Sequence, residues 1–126
     1  MEELKPGPCL IEEVIKFKKE LSVIICRRPK GETVNYPVVE SEFHPVANQV
    51  EYILCPARIS NAAEERAVVI ALKTAEAYGQ IGLLAVELFL ISDEEIIVNE
   101  VAPRPHNSGH FSIEASYTCQ FDQHIR

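Results

Sequence analysis

The sequence predicts an α+β fold in which a mostly antiparallel sheet is covered by two helices. Three observations predict it. Short apolar runs are separated by turn-forming segments such as Arg27–Glu32 and Ser92–Glu95, the pattern of strands joined by hairpins. Ala62–Tyr78 carries Ala67, Ile70, Ala71 and Thr74 along one face at helical spacing. Ser112–Ile125 repeats the pattern with Ile113, Tyr117 and Phe121 at i, i+4 and i+8. Antiparallel strands with helices laid on them make an α+β architecture.

A chain of 126 residues suggests one domain with room for a core. Its apolar content of 47% and charged content of 25% are those of an ordinary globular protein. The net charge of −7 argues against a nucleic-acid surface. No apolar run reaches the roughly 18–20 residues needed to span a bilayer. The start, MEELKPGPCL, lacks a basic segment followed by an apolar one, so no signal peptide is expected. Cys9, Cys26, Cys55 and Cys119 are widely spaced, which argues against zinc and for reduced thiols, three of them in apolar strands or a helix.

In chain order, Cys9–Ile15 reads as a short strand introduced by Pro6-Gly7-Pro8, with Glu12 and Glu13 as solvated charges. A second strand, Leu21–Cys26, begins just after Glu20, which reads on its own as a surface charge. Arg27–Glu32 is a basic turn, and Thr33–Val39 a third strand that Pro37 consigns to an edge or a bulge. Glu40–Asn48 is a polar loop holding His44, and Gln49–Cys55 a further strand. Ser60 or Asn61 caps the first helix, Asn61 and Glu64 having capping-box spacing, and Gly79 stops it.

The richest stretch is Leu83–His110. Two apolar runs, Leu83–Ile91 and Ile96–Val101, flank a four-residue loop, Ser92–Glu95. If Ile91 faces Ile96, Phe89 lies opposite Val98 and Glu87 opposite Glu100, both carboxylates on one face. Directly opposed Cβ atoms stand roughly 4.5–5.5 Å apart, where like charges repel. Two readings account for the pair. A divalent cation such as Mg²⁺, which prefers carboxylate and phosphate oxygens, would hold it together; alternatively the register slips and one Glu faces water. Asn99 adds a carbonyl oxygen, although strict alternation sends it to the other face. The loop after the hairpin gathers a guanidinium, two imidazoles, an amide and a hydroxyl into the seven residues Arg104 to His110. Arg suits planar oxyanions such as carboxylate, phosphate or bicarbonate, and a helix starting just past His110 would favour an anion there.

The segment NEVAPRPHNSGH, Asn99 to His110, closely resembles the signature of the N5-carboxyaminoimidazole ribonucleotide synthases, ATP-grasp enzymes of purine biosynthesis. The resemblance runs from Gly7-Pro8-Cys9 to His124-Ile125-Arg126. Related formyl-transferring enzymes share Pro-Arg-Pro-His but continue with Asp-Thr-Gly, where this chain has Asn107-Ser108-Gly109-His110. The resemblance implies that residues 1–126 are the C-terminal half of an ATP-grasp domain within a longer enzyme, without the half that carries the phosphate-binding lysines. It implies that the backbone of Glu12, Glu13, Val14 and Ile15 reads the adenine of ATP, that Glu20 accepts from the ribose hydroxyls, and that His44 lies near ATP. Glu87, Glu100 and Asn99 would hold Mg²⁺, with Asn99 and Glu100 also at the nucleotide.

The implied reaction joins bicarbonate to the amine of 5-aminoimidazole ribonucleotide, with ATP first phosphorylating bicarbonate to carboxyphosphate. Arg104 would bind bicarbonate or that intermediate. His106 and Asn107 would position the amine and stabilise oxyanion charge, and Ser108 and His110 would contact substrate. A cytoplasmic enzyme, homodimeric at full length, is expected, with small-molecule substrates and neither nucleic acid nor membrane as partner. The alternatives are another ATP-grasp ligase, such as a formyl-transferring purine enzyme, or a nucleotide-binding module without activity of its own.

Overall fold

The computed structural model describes residues 7–47 and 49–126; Pro6 and Asn48, named above in the opening turn and the polar loop, lie outside them. Six strands form one sheet: β1 (Lys19–Arg27), β2 (Thr33–Asn35), β3 (Val39–Phe43), β4 (Val50–Leu54), β5 (Gly82–Ser92) and β6 (Glu95–Ala102). The order is β4-β3-β1-β5-β6, with β2 also pairing β1, and every pairing is antiparallel. The expected α+β fold is the one observed.

The centre is the β1–β5 pair, which runs unbroken from Lys19↔Leu90 to Arg27↔Gly82. Alternation splits its side chains cleanly. Leu21, Val23, Ile25, Leu84, Val86, Leu88 and Leu90 face helix α1 (Asn61–Ala77) and are buried. The helix meets them with Ala63, Ala67, Ala71 and Ala75, one methyl per turn, so its backbone lies close to the sheet. Of the expected stripe, Ala67 and Ala71 are buried, while Ile70 and Thr74 flank it half-buried. Ser60 is the cap, its hydroxyl accepting from Ala63 N at 3.2 Å, and Gly79 ends the helix with a φ of 61°.

Several elements depart from expectation. Cys9–Ile15 is no strand: it is an extended, mostly exposed segment outside the sheet. The run Thr33–Val39 is split, because Pro37 has no N–H to give a ladder, and its second part continues as β3 through Glu40–Phe43, placed in a loop on polarity alone. Glu40 tolerates a strand because its buried carboxylate is paired with Lys19 and with Arg58, which also donates its backbone N–H at 3.0 Å. Burial alone would raise the Glu40 pKa; hydrogen bonds from Arg58 and Lys19 outweigh it and hold the carboxyl down at about 2.

The expected second helix is broken into α2 (Ser112–Ala115) and α3 (Gln120–Ile125). The residues between them, Ser116-Tyr117-Thr118-Cys119, are all mediocre helix formers, and Ser116 is extended. Ile113, Tyr117 and Phe121 are consequently exposed, and the buried side chains are Ser112 and Gln120. The cysteines also differ from expectation: all are free, but only Cys26 is buried, while Cys9 and Cys55 are exposed.

Candidate functional site

The second face of the sheet divides along its length. Toward one end, Ile24, Cys26, Leu83, Ala85 and Ala102 pack with Tyr36 in a small core closed by the C-terminal segment, where Tyr36 Oη donates to the Thr118 carbonyl at 2.8 Å. Toward the other end the same face carries Glu20, Ser22 and Glu87: Ser22 lies opposite Glu87, and Glu20 opposite both Phe89 and Ser41. Glu87 in turn lies opposite Glu100. The opposed carboxylates are therefore present, although the register slips elsewhere in the hairpin and Glu100 is the exposed member of the pair.

The register between them is not the simple one. Leu88 pairs with Val98, Phe89 with Ile97 and Leu90 with Ile96, and Ser92 pairs with Glu95 across a shorter turn than expected. Two irregularities, at Glu87/Leu88 and Leu90/Ser92, shift the middle of the hairpin by one residue and then restore it. The first leaves Asn99 as an extra residue on β6. A bulge suspends alternation, so Asn99 reaches the carboxylate face, where its side chain hydrogen-bonds Glu87. Strict alternation misplaced it.

Electrostatics follow from that crowding. Burial, then the Glu87 and Glu100 carboxylates, push Glu20 up to about 7. Glu87 is raised by burial and by Glu100, with hydrogen bonding from the Asn99 side chain opposing. His106 sits against this cluster, Nε2 at 3.3 Å from Glu87 Oε1, with side-chain exposures of only 14% and 17%. Burial, and then Arg104, push its pKa down against the pull of Glu100. Its Nδ1 accepts the Ser108 backbone N–H at 3.4 Å and lies 2.9 Å from Ser108 Oγ. A nitrogen that accepts an N–H carries no proton of its own, so the neutral ring holds its proton on Nε2, aimed at Glu87.

Glu20, Ser41, Glu87, His106, Asn107, Ser108 and His110 line one open cavity of about 470 Å³, walled by β4 at Val50–Ile53 and by Phe111. Glu12, Glu13 and Ile15 line a neighbouring cleft of about 220 Å³ with Phe89, Ile97, Val98 and Asn99, and Val14 lines an adjoining depression that shares Glu13, Ile15 and Ile97 with it. Phe17 stacks on Phe89 with ring centroids 4.4 Å apart, anchoring the extended segment to the sheet. Two residues stand apart. Arg104 is exposed, donates to the Pro105 carbonyl at 3.0 Å, and has no carboxylate partner among the described residues. His44 is exposed and lines neither cavity; its Nδ1 accepts the N–H groups of Val46 and Ala47 at 3.2 and 3.1 Å, a turn-capping task. The four-residue α2 is too short to carry the helix dipole expected near His110.

The donors Glu87, Glu100 and Asn99 are all oxygens, which suits a hard cation that takes further ligands from elsewhere. Among the described residues, no three His, Cys, Asp or Glu side chains converge to hold a metal by themselves. Residues that sequence reasoning passed over include Ser41, hidden because the polar stretch Glu40–Phe43 was read as a loop, the site-facing wall of β4, a strand expected at Gln49–Cys55 but not placed beside the site, and Gln120, whose burial no periodicity announces.

The family model for the ATP-grasp domain matches residues 1–121. The chain is 43% identical over 123 residues to the N5-carboxyaminoimidazole ribonucleotide synthase of Bacillus subtilis, covering 98% of this chain and 32% of that protein. It is 36% identical over 126 residues to the phosphoribosylaminoimidazole carboxylase of Saccharomyces cerevisiae, covering 22% of it. It thus spans about a third or less of these relatives. Among solved structures, an ADP complex of an N5-carboxyaminoimidazole ribonucleotide synthetase superposes with a TM-score of 0.84 at 45% identity, covering 91% of this chain and 30% of that one. The Aspergillus clavatus enzyme, in complex with ADP and 5-aminoimidazole ribonucleotide, superposes with a TM-score of 0.79 at 39% identity, covering 87% and 29%.

Proposed function

Because this chain belongs to the ATP-grasp family, we propose that it carries the nucleotide-, metal- and acceptor-facing surface of an enzyme that uses ATP and bicarbonate to carboxylate 5-aminoimidazole ribonucleotide, by way of carboxyphosphate. The observation that carries the reading is the convergence of Glu20, Glu87, Glu100, Asn99 and His106 on one sheet face beside the extended segment 12–15. Relatives that bind ADP and the ribonucleotide support the assignment of ligands. Small-molecule binding in the cytoplasm, by a homodimer at full length, belongs to the same reading; among the described residues no helix is long and apolar enough to cross a membrane.

In this reading the backbone groups of Glu12–Ile15 take the adenine edge, which offers a donor and an acceptor side by side. Glu20 accepts from the ribose hydroxyls, and its raised pKa falls back once a neighbouring cation offsets Glu87 and Glu100. Glu87, Glu100 and Asn99 hold Mg²⁺, which when bound neutralises the charge of the transferred phosphoryl group. Arg104, exposed and unpaired with any described carboxylate, is free to take bicarbonate or the phosphorylated intermediate. His106, held through its Nε2 proton against Glu87, and Asn107 line the cavity in which the acceptor amine and the oxyanion that forms as it attacks would lie. Ser108 acts by holding the imidazole rather than by touching substrate, and His110 lines the cavity mouth.

Calorimetric titration of the chain with Mg-ADP tests this. Glu100→Gln should weaken binding at least tenfold while leaving the melting temperature equal or slightly higher, since it relieves a like-charge pair. Unchanged affinity together with a large drop in melting temperature would make Glu100 structural and refute the reading.

A further inference from the structure

We infer that Gln120 is a positioning residue for the proposed reaction: from the far side of the loop it sets where His106 stands in the cleft. The inference rests on the role given to His106 above. Gln120 is 0% exposed, and both ends of its amide are spent on one residue. Its Oε1 accepts the His106 backbone N–H at 2.9 Å, and its Nε2 donates to the His106 carbonyl at 2.8 Å. A fully buried amide is costly unless its polar groups are paired, and a side chain needed only to fill space would be better as Leu or Met. Here it acts as a two-pronged strand mimic that holds the extended backbone of His106, at φ −131° and ψ 154°.

The surroundings are shaped to admit it. A Cβ at Gly109 would stand 2.5 Å from Gln120 Oε1 and would also collide with Ile24 Cδ1, so glycine there leaves the room that the amide occupies. Ser112, itself 0% exposed, accepts the Gln120 backbone N–H at 2.9 Å and donates to the Gly109 carbonyl at 2.6 Å. Both the backbone and the side chain of Gln120 are thus tied to the same loop. With the backbone of His106 held, only its side-chain torsions remain, and Ser108 at Nδ1 settles those. The path of contacts runs from α3 through Gln120 and His106 to Glu87.

The test is carbon–proton NMR of the histidine rings in the 126-residue chain, comparing wild type with Gln120→Met and Gln120→Glu. Met keeps the volume and removes both hydrogen bonds; Glu keeps the acceptor for the His106 N–H. In Gln120→Met the nuclear Overhauser contact between the His106 ring and the Glu87 methylenes should be lost and the His106 ring resonances should move, while those of His44 and His124 stay. In Gln120→Glu the contact should persist and the His106 amide should stay slow to exchange. A folded Gln120→Met chain that keeps the His106–Glu87 contact overturns the inference, because a purely structural Gln120 would lower stability and leave the ring in place. Should the Met variant not fold, Gln120→Glu decides: a His106 amide exchanging as fast as an unbonded loop amide, with the ring contact intact, overturns it as well. None of this needs nucleotide or metal, so it fails or succeeds independently of the Mg-ADP titration.

Discussion

The two faces of the sheet are built from the same strands and obey opposite rules. On the α1 face, alternate residues of β1 and β5 are Leu, Val and Ile, closed by an alanine stripe. Residues one step away along those strands include Glu20, Ser22 and Glu87, and this end of the second face borders an open cavity lined by β4 and by the loop at His106–Ser108. One face lowers the free energy of the fold. The other accumulates carboxylates, and burial first and neighbouring carboxylates second push Glu20 and Glu87 above the ordinary carboxylate pKa. Stability and binding are thereby separated by a single Cβ direction, and substitutions on the two faces should have opposite signatures.

The largest effect should come from the packed face. Leu88, 0% exposed against α1, changed to Ala should cost about 2–5 kcal/mol by the usual transfer and cavity terms. Urea unfolding will show that loss, while the affinity of the remaining folded chain for Mg-ADP should be unchanged. Weaker binding in step with lost stability would mean that the faces are coupled.

Next comes the rim of the packed face. Glu40→Gln removes the carboxylate that Lys19 and Arg58 share and should cost about 1–3 kcal/mol at neutral pH, the price of a broken charged hydrogen bond. Because the folded-state pKa of Glu40 lies below its ordinary 4.5, at about 2, its contribution is present above 4.5 and lost as pH falls through 2. Wild-type and variant stabilities should therefore converge on acidification, as chemical denaturation across that range will show.

The site face should show the opposite slope. Glu20 rises in the folded chain from 4.5 to about 7, so its contribution is complete below 4.5 and disappears as pH rises through 7. Without divalent cation, the melting temperature should fall over that interval, and Glu20→Gln should flatten the fall. An unchanged slope would assign the pH dependence elsewhere. The smallest effect expected is that of His44→Ala, which removes a turn cap worth about 0.5–1 kcal/mol and should leave nucleotide affinity alone; a weaker titration would restore His44 to the nucleotide site.

What could be read from the sequence depended on the range of the interaction. The opposition of Glu87 and Glu100 was legible because a hairpin is local and its two irregularities compensate: the expected pairs Ile91–Ile96 and Phe89–Val98 give way to Leu90–Ile96 and Phe89–Ile97, and the register is restored at Glu87. Asn99 was misplaced because a bulge is a property of the pair of strands, and no alternation rule contains it. The helix Asn61–Ala77 declared itself through its cap, its alanines and Gly79. The strand at Glu40–Phe43 did not, because its polarity becomes tolerable only when Lys19 and Arg58 arrive from distant positions.

By itself, then, the sequence determined the α+β class, the hairpin, the carboxylate pair and the motif that points to ATP-grasp chemistry, since all of these are encoded within a turn or a short run of residues. Only the tertiary structure decided that the last helix is broken, that Ser112 and Gln120 rather than Ile113, Tyr117 and Phe121 are its buried residues, and that His106 is held from behind against Glu87. The physical reason is that a buried polar side chain is stable only with partners in place, and those partners come from parts of the chain that periodicity cannot connect.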